Sequence, residues 1–261
     1  MSSRSTLKDV QSAHDDRQLS INRVGVRRVK HPIYIQLSHI KQPSLGEFSL
    51  YVDLAANQKG THMSRFLQIL HANPIEISAV NFKNLVKKVG QELGSTEAEV
   101  TADFSVFLEK EAPISKEKGL VDYVVSLKGE LRQNEVTLTL SVQVPVTSLC
   151  PCSKDISAYG AHNQRSHIII NAVLLDDIWI EDLVRIAEKQ ASCEVYAILK
   201  RPDEKYVTEY AYDHPKFVED MVRDVATSLL QEQRVGAFSV TSENFESIHN
   251  HSAFAMIARD K

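Results

Sequence analysis

The sequence is poor in cysteine and has no long hydrophobic run. Three cysteines in 261 residues, two of them almost adjacent, are too few for a disulfide framework. No run of about 18 apolar residues occurs, and the opening stretch M-S-S-R-S-T-L-K-D-V-Q has no apolar segment of the kind found in secretory signals. These absences predict a cytoplasmic protein without a membrane partner. A reducing compartment would leave its thiols available to a metal ion.

Positive charge is also in short supply. The net charge is −4 at pH 7, so no overall field attracts nucleic acid, and we expect no nucleic-acid partner. An anionic substrate would therefore need a local basic pocket. The pattern G-x-x-x-x-G-K-[ST] is absent, which argues against a P-loop nucleotide site. The hydrophobic content of 43% and the charged content of 25% are ordinary for a globular protein with a sizeable core.

Hydrophobic periodicity predicts a mixed α+β chain. Long segments within 100–146 alternate apolar and polar residues, which indicates antiparallel strands with one buried face. Helical spacing predicts a helix over 78–93 that ends at Gly94, another over 180–199, and a third that begins near Pro215. Shorter strands are predicted at 24–35, 47–54, 167–175, 236–245 and 252–258.

The order of these elements divides the chain into three parts. Residues 1–21 are polar and lack periodicity, so we expect a flexible N-terminal tail. Residues 22–147 and residues 148–261 each combine strands with a pair of helices, which predicts two similar modules in tandem. Antiparallel sheets with free edges are a liability in a monomer, and we therefore expect the chain to oligomerise.

One motif carries most of the chemistry. The stretch 144–167, V-P-V-T-S-L-C-P-C-S-K-D-I-S-A-Y-G-A-H-N-Q-R-S-H, is predicted to be a long loop between two strands. Cys150, Cys152 and His162 lie in it, and Gly160 allows a sharp turn just before the histidine. Thiolate and imidazole are ligands that zinc-like ions prefer, and the lack of a second cysteine pair favours an open catalytic site. The alternative is a buried apolar cysteine pair beside a loop histidine.

This motif resembles the signature of GTP cyclohydrolase type IB, the prokaryotic metal-dependent form of that enzyme. Three further stretches are similar to the family: G-T-H-M-S-R at 60–65, L-K-R-P-D-E-K at 199–205 and E-S-I-H-N-H at 246–251. The resemblance implies a bimodular tunnelling fold (T-fold), in which antiparallel sheets carry paired helices on their outer face. Oligomerisation, usually to a homotetramer with active sites at subunit interfaces, would complete a barrel.

The resemblance also implies the reaction. The substrate would be GTP, and with water it would yield 7,8-dihydroneopterin triphosphate and formate. This is the first step of folate and pterin biosynthesis, and of the biosynthesis of queuosine-type deazapurines. Two alternatives remain open. One is a nitrile reductase of the same fold, with a nucleophilic cysteine and a nicotinamide; the other is a non-catalytic protein whose loop binds zinc for stability.

A metal site with one divalent ion per subunit, zinc, manganese or iron, is implied as well. Its expected ligands are Cys150, His162 and Glu204, with water in the fourth position. Cys152 would stand beside the metal as an acid–base or positioning thiol. For Glu204 the resemblance is the only argument, because a carboxylate in a charged loop is usually solvated.

The H-N-H pattern near the C-terminus offers proton-transfer groups. On a strand, His249 and His251 would point to the same side, and both could face one pocket. The alternative is an exposed polar turn between the last two strands. The resemblance implies that both histidines line the active site together with Glu246, where they move protons.

Substrate-binding residues are expected on two predicted helices. The resemblance implies that Glu219 anchors the guanine, whose N1–H and exocyclic amine suit a carboxylate; the alternative is a solvated helix face. His62, Ser64 and Arg65 stand at the start of a helix for which Ser64 is the predicted N-cap, and such a terminus attracts phosphate. An ordinary capped surface helix is the alternative there. Lesser candidates for the triphosphate are Lys154, Arg165 and Arg201.

Overall fold

The computed structural model describes residue 11, residues 13–71 and residues 75–260. A ten-stranded sheet dominates it, with hydrogen-bonded neighbours in the order β10-β9-β7-β6-β5-β4-β2-β1-β3, and β8 paired with β6. The expected mixed α+β class is confirmed, and the sheet is open, with β10 and β3 as its end strands. The strands are β1 Ile21–Gln36, β2 Lys41–Leu54, β3 Ile75–Ile77, β4 Ala98–Glu111, β5 Lys118–Arg132, β6 Glu135–Leu149, β7 Asn163–Leu174, β8 Cys193–Glu194, β9 Val235–Asn244 and β10 Ala253–Arg259. The helices are α1 Met63–His71, α2 Ala79–Leu93, α3 Pro151–Ile156, α4 Ile180–Lys189, α5 Arg201–Asp213 and α6 Val218–Gln231.

The chain forms two compact units, each built from discontinuous segments. Unit 1 comprises the described residues within Met1–Ile35, Leu45–Ala102 and Lys128–Leu138. Unit 2 comprises Gln36–Ser44, Asp103–Leu127 and Thr139–Lys261, again in its described part. The expected modules 22–147 and 148–261 stay a prediction.

In unit 1, helices α1 and α2 contact each other, and β1 pairs in parallel with the short β3. The predicted helix over 78–93 is confirmed. The Ser78 hydroxyl accepts from the Asn81 N–H at its N-terminus, and Gly94 ends the helix with a left-handed φ of 66° that suits glycine. Most of the expected tail, residues 1–10 and 12, lies outside the described residues. Its described part contacts this unit, where the Asp15 N–H donates to the Asn57 carbonyl.

In unit 2, β6, β7, β9 and β10 are antiparallel neighbours. Helix α6 packs on β9 and β10, and α4 packs on β7 and α6. The apolar face of α6 is buried at Val218, Met221, Val222, Val225 and Leu229, whereas Phe217 and Leu230 are exposed. The last two strands lie where the alternation places them.

The prediction of one helix over 180–199 was wrong. Helix α4 ends at Lys189, and the buried Cys193 lies on β8 instead of in a helix. Helix α5, which the periodicity did not reveal, begins at Arg201 with Pro202 in its first turn, and Asp203 and Glu204 follow in that turn. Proline and acidic residues there are favoured helix starters, so the stretch R-P-D-E held a signal that its lack of apolar residues obscured.

Within the described part of the chain, no helix is long and apolar enough to cross a membrane.

Candidate active site

The motif predicted as a long loop is a short connection with a helix of its own. Strand β6 continues to Leu149 and β7 begins at Asn163, so only residues 150–162 connect them, and α3 occupies part of that connection. Periodicity favoured a longer loop because its polar residues interrupt the apolar alternation. Gly160 has a φ of 117°, as expected for a sharp turn before His162.

Cys150 and His162 stand at the two ends of this connection and are tied together. The Cys150 N–H donates to the His162 carbonyl oxygen at 3.1 Å. Ser153 bridges the same two residues, because its hydroxyl donates to the Cys150 carbonyl at 3.1 Å and accepts from the His162 N–H at 3.2 Å. The Cys150 sulfur also accepts from the Ser153 N–H at 3.5 Å, which makes Cys150 the N-cap of α3. These hydrogen bonds close a ring through Cys150, Ser153 and His162, which we call the closed frame. It holds the residues that carry the thiol and the imidazole close together.

The strands that lead to and from this frame bury apolar side chains along their length but polar side chains at the end near the frame. Along β6 and β7 the buried positions are apolar until the site is approached, where they become Ser148, Ser166 and Gln164. On β9 the same change brings Ser242 and Asn244 into buried positions. The Ser242 hydroxyl and the side-chain amide oxygen of Asn244 have no hydrogen-bond partner among the described residues. Burying polar groups costs free energy unless they form hydrogen bonds. The row of buried polar residues at one end of β6, β7 and β9 therefore marks a functional region.

Part of this row forms a hydrogen-bonded chain that ends at His162. The imidazole Nδ1 lies 2.9 Å from Gln164 Oε1. Gln164 Nε2 donates to the Ser148 hydroxyl at 2.7 Å, and that hydroxyl lies 2.8 Å from the hydroxyl of Ser166. The His162 side chain is only 13% exposed, so its orientation is fixed by these neighbours.

Glu246 lies on the same side of His162. Its Oε2 is 3.9 Å from His162 Nδ1, and its side chain is 12% exposed. His249 and His251 lie in the turn that joins β9 to β10, not on a strand. Their rings nevertheless stack, with centroids 5.1 Å apart and planes 18° apart, and both residues are exposed. The turn therefore holds two imidazoles face to face.

The three cysteines are free thiols in different surroundings. Cys152 is exposed on α3, whereas Cys150 is half-buried at its cap. Cys193 is buried on β8, and burial raises the pKa of its thiol to about 11. Cys193 is thus protonated at neutral pH. Cys150 and Cys152 lie in the same 150–162 connection as His162.

The structure does not gather the three expected metal ligands. Among residues 11, 13–71 and 75–260, no group of three or more His, Cys, Asp or Glu side chains lies close enough to hold an ion. Glu204 lies in the first turn of α5, where its half-exposed carboxylate pairs with Arg201 at 3.1 Å. The ligand set Cys150, His162 and Glu204 therefore stays a prediction, although sulfur, nitrogen and oxygen donors are of the kinds that suit a zinc-like ion.

The residue next to Glu204 anchors the start of α5. Asp203 is fully buried and accepts from the N–H groups of Ile114, Ser115 and Lys200, each at 2.8 Å, and from the Ser115 hydroxyl at 2.6 Å. Although burial alone would raise it, these hydrogen bonds hold the pKa of Asp203 well below its ordinary value. No local sequence pattern pointed to Asp203, but this residue fixes the first turn of α5 and so the backbone position of Glu204.

Three of the four remaining candidates of unit 2 are exposed, and Lys154 is half-buried. Glu219 lies in the first turn of α6, one residue after the buried Val218. The Lys154 ammonium donates to the carbonyl of Tyr212 and lies 4.2 Å from the centre of its ring. Arg201 is 94% exposed, and Arg165 is exposed on β7. No described contact brings these four residues together in one pocket.

The phosphate candidates His62, Ser64 and Arg65 belong to unit 1. Helix α1 begins at Met63, so Ser64 lies inside the helix and His62 occupies the position before it. His62 and Arg65 line an open polar cavity with Gly60 and residues of the 93–96 segment. The Arg65 guanidinium makes a long contact of 3.4 Å to the Glu92 carbonyl and remains exposed.

Known proteins similar to this chain place it in a family. A profile described as "Type I GTP cyclohydrolase folE2" matches residues 7–255. A protein named GTP cyclohydrolase FolE2 from Azoarcus sp. (strain BH72) is 53% identical over 257 residues, with 98% of this chain and 96% of the relative covered. The protein of that name from Herminiimonas arsenicoxydans is also 53% identical, with 98% of each chain covered.

Solved structures show the fold at much lower identity. The uricase of Arthrobacter globiformis superposes with a TM-score of 0.51 at 9% identity, over 91% of this chain and 93% of the uricase. A urate oxidase of Bacillus sp. TB-90 gives a TM-score of 0.50 at 6% identity, over 92% of this chain and 100% of the other. These matches concern the fold alone. Because the family profile and the relatives cover nearly the whole sequence, the chain belongs to the type I GTP cyclohydrolase FolE2 family.

Proposed function

We propose that this protein is a GTP cyclohydrolase I, which converts GTP and water to 7,8-dihydroneopterin triphosphate and formate. Membership of the FolE2 family, with relatives 53% identical over nearly the full chain, is the observation that carries the proposal. The product would feed the biosynthesis of folates, pterins and queuosine-type deazapurines. The closed frame of Cys150 and His162 supports the assignment, because opening the imidazole ring of guanine requires an activated water.

The metal site is proposed at Cys150, His162 and Glu204. Sulfur, nitrogen and oxygen donors form a set that zinc, manganese and iron accept. A divalent cation at such a site acidifies a water and makes a nucleophile available near neutral pH. The ligands on the 150–162 connection are fixed by the Ser153 bridge, and Glu204 is fixed through the buried neighbour Asp203.

Proton transfer is assigned to the groups around this frame. Formate release and the later ribose rearrangement require protons to be added and removed at several atoms of the substrate. His249 and His251 are exposed and stacked, so either ring can meet the substrate and donate to N7 of the purine. Glu246, 3.9 Å from His162 on the β9–β10 connection, and Cys152 on α3 would be acceptors or donors in later steps, and Cys152 is not required to bind the metal.

Substrate binding is assigned to two sets of residues. The Glu219 carboxylate would accept from N1–H and from the exocyclic amine of guanine, a bidentate fit that discriminates guanine from adenine. The triphosphate would lie against His62, Ser64 and Arg65 at the beginning of α1, where helix N–H groups favour anions. Lys154 and Arg201 are secondary phosphate contacts.

The assembly is proposed to be a homotetramer of bimodular T-fold subunits, with modules at 22–147 and 148–261 and active sites at subunit interfaces. The end strand β10 exposes Phe254 and Met256, 63% and 55% respectively, which favours coverage by another chain. Sedimentation at micromolar protein should give four times the mass of one chain, and a monomer would contradict this. The three free thiols support a reducing compartment, the cytoplasm.

The decisive experiment measures formate and pterin fluorescence after incubation of purified protein with GTP, before and after metal removal. Both products should form, a chelator should abolish both, and zinc, manganese or iron should restore them. Formate release that survives complete metal removal would contradict the metal site. Absence of both products with every metal would contradict the assigned reaction and leave the nitrile reductase or the zinc-stabilised protein as the remaining functions.

A further inference from the structure

Gln164 covers the Nδ1 side of His162 and has no role in the function assigned above. Its Oε1 lies 2.9 Å from His162 Nδ1, and its Nε2 donates to the Ser148 hydroxyl at 2.7 Å. Gln164 is 8% exposed and Ser148 is fully buried. Gln164 on β7 and Ser148 on β6 are directly paired across the two strands. The Gln164 amide therefore lies between the Ser148 hydroxyl and the imidazole of His162.

We propose that Gln164 is a positioning residue that keeps His162 in the tautomer with its proton on Nδ1 and its lone pair on Nε2. The proposal depends on the proposed function in one respect, namely that His162 binds a divalent cation. A neutral imidazole binds metal only through a nitrogen that carries a lone pair. Metal-binding histidines usually donate their other N–H to a fixed acceptor, which sets the tautomer and the ring orientation.

Two acceptors on the same side of the ring favour this tautomer. Gln164 Oε1 is one, and Glu246 Oε2 at 3.9 Å from Nδ1 is the other. An ionised carboxylate has no proton to donate, so a lone pair on Nδ1 would face negative charge. The reversed amide of Gln164 would create that clash, because its NH2 group would then require a lone pair on Nδ1 beside Glu246. The orientation with Oε1 towards the ring avoids this clash, because a proton on Nδ1 then faces the two acceptors Gln164 Oε1 and Glu246 Oε2.

Ser148 explains why a glutamine suits this position. The amide must accept from His162 and donate to a second group at the same time, and the buried Ser148 hydroxyl is the acceptor for that donation. Ser166, 2.8 Å from Ser148, extends the chain across the sheet. Since these side chains belong to paired strands, the imidazole is held by the sheet as well as by the contacts within the 150–162 connection.

The first test reads the tautomer directly in the metal-free full-length protein. With 15N-labelled histidine, long-range 1H–15N correlation spectra at a pH where His162 is neutral should show the proton on Nδ1. The signal is assigned by its loss in His162→Gln. In Gln164→Leu the proton should move towards Nε2, whereas Gln164→Glu, which still accepts from Nδ1, should preserve the original tautomer. A wild-type His162 with its proton on Nε2 would overturn the proposal, whatever the catalytic activity.

The second test measures zinc affinity of the chelator-stripped protein by competition. Gln164→Leu should bind zinc about 10- to 100-fold more weakly, and Gln164→Glu should stay close to wild type. Gln143→Leu, the same change on β6 at a position paired with Ile169, is the control and should leave affinity unchanged. Equal affinity in wild type and Gln164→Leu would overturn the proposal. If wild type shows the expected tautomer but binds no zinc, the tautomer inference stands and the ligand role of His162 in the proposed function fails.

Discussion

The backbone N–H of Cys150 donates to the carbonyl of His162 at 3.1 Å, although twelve positions separate them in the sequence. With the Ser153 hydroxyl bonded to both residues, the pair forms one hydrogen-bonded frame. The functional consequence is a difference between the two cysteines of the motif, since only Cys150 belongs to the frame, while Cys152 is exposed on α3.

We expect Cys150→Ala to lose both metal and formate production, because it removes a ligand. Cys152→Ala should retain the metal and lose turnover, since its thiol would move protons or orient substrate. Elemental analysis of both purified variants, alongside formate release, measures the difference. Equal metal loss in the two variants would instead mean a two-cysteine site, and Glu204 would then leave the set of ligands.

Glu219→Gln should raise the KM for GTP by about 10-fold or more, because one charge-assisted contact to guanine is worth roughly 1.5–3 kcal/mol. Metal content should not change. The matched control is Glu209→Gln, which alters an exposed glutamate of α5 that pairs with Lys205. An unchanged KM in Glu219→Gln would mean that Glu219 does not bind guanine and belongs to an ordinary solvated helix face.

Arg65→Ala should weaken GTP binding far more than guanosine binding, because the lost contact is to phosphate. The effect should shrink as salt is raised, since exposed charge contacts are screened. Binding of both ligands is measured by calorimetry at low and high salt. Arg185→Ala, which removes an exposed arginine of α4 paired with Asp182, serves as the control. A similar loss for the two ligands would remove Arg65 from the triphosphate site.

Asp203→Asn should lower the urea midpoint of unfolding at pH 7, because an amide cannot accept all four hydrogen bonds that the buried carboxylate accepts. The folded pKa of Asp203 lies below its unfolded value. Its stabilisation is therefore complete above the unfolded pKa, about 3.9, and is lost as the pH falls towards the folded pKa.

The wild type should accordingly lose more stability than Asp203→Asn between pH 5 and pH 2, about the window in which a hydrogen-bonded carboxylate becomes protonated. Asp16→Asn, at a fully exposed carboxylate, should behave like the wild type. Parallel pH profiles for wild type and Asp203→Asn would show that the buried carboxylate does not anchor α5.

Thiol labelling should distinguish all three cysteines in the native protein. Cys152 is exposed and should react first, and Cys150 should react more slowly because it is half-buried. Cys193, with its pKa raised to about 11 by burial, should react only after unfolding. Mass spectrometry of digested samples taken over time measures the order. Early modification of Cys193 would contradict the packing of β8.

The strands and most helices follow from local pattern. The alternation at 136–146 already determines which face of β6 is buried, and Ser78 with Gly94 determines both ends of α2. The local pattern failed where an element depends on contacts between residues that are far apart in the sequence. The start of α5 depends on hydrogen bonds between Asp203 and the Ile114–Ser115 backbone, almost ninety positions away, which no window of sequence contains.

The same distinction applies to the site. The sequence by itself determined which chemistry is available, since a C-P-C motif followed by a histidine supplies thiol and imidazole donors. The resemblance of the sequence to a family pointed to the further residues. Only the tertiary structure decided which atoms are used. Cross-strand pairing brings Gln164 and Ser148 together and sets Glu246 beside His162, because a tautomer and a ring orientation depend on neighbours in space and not on order along the chain.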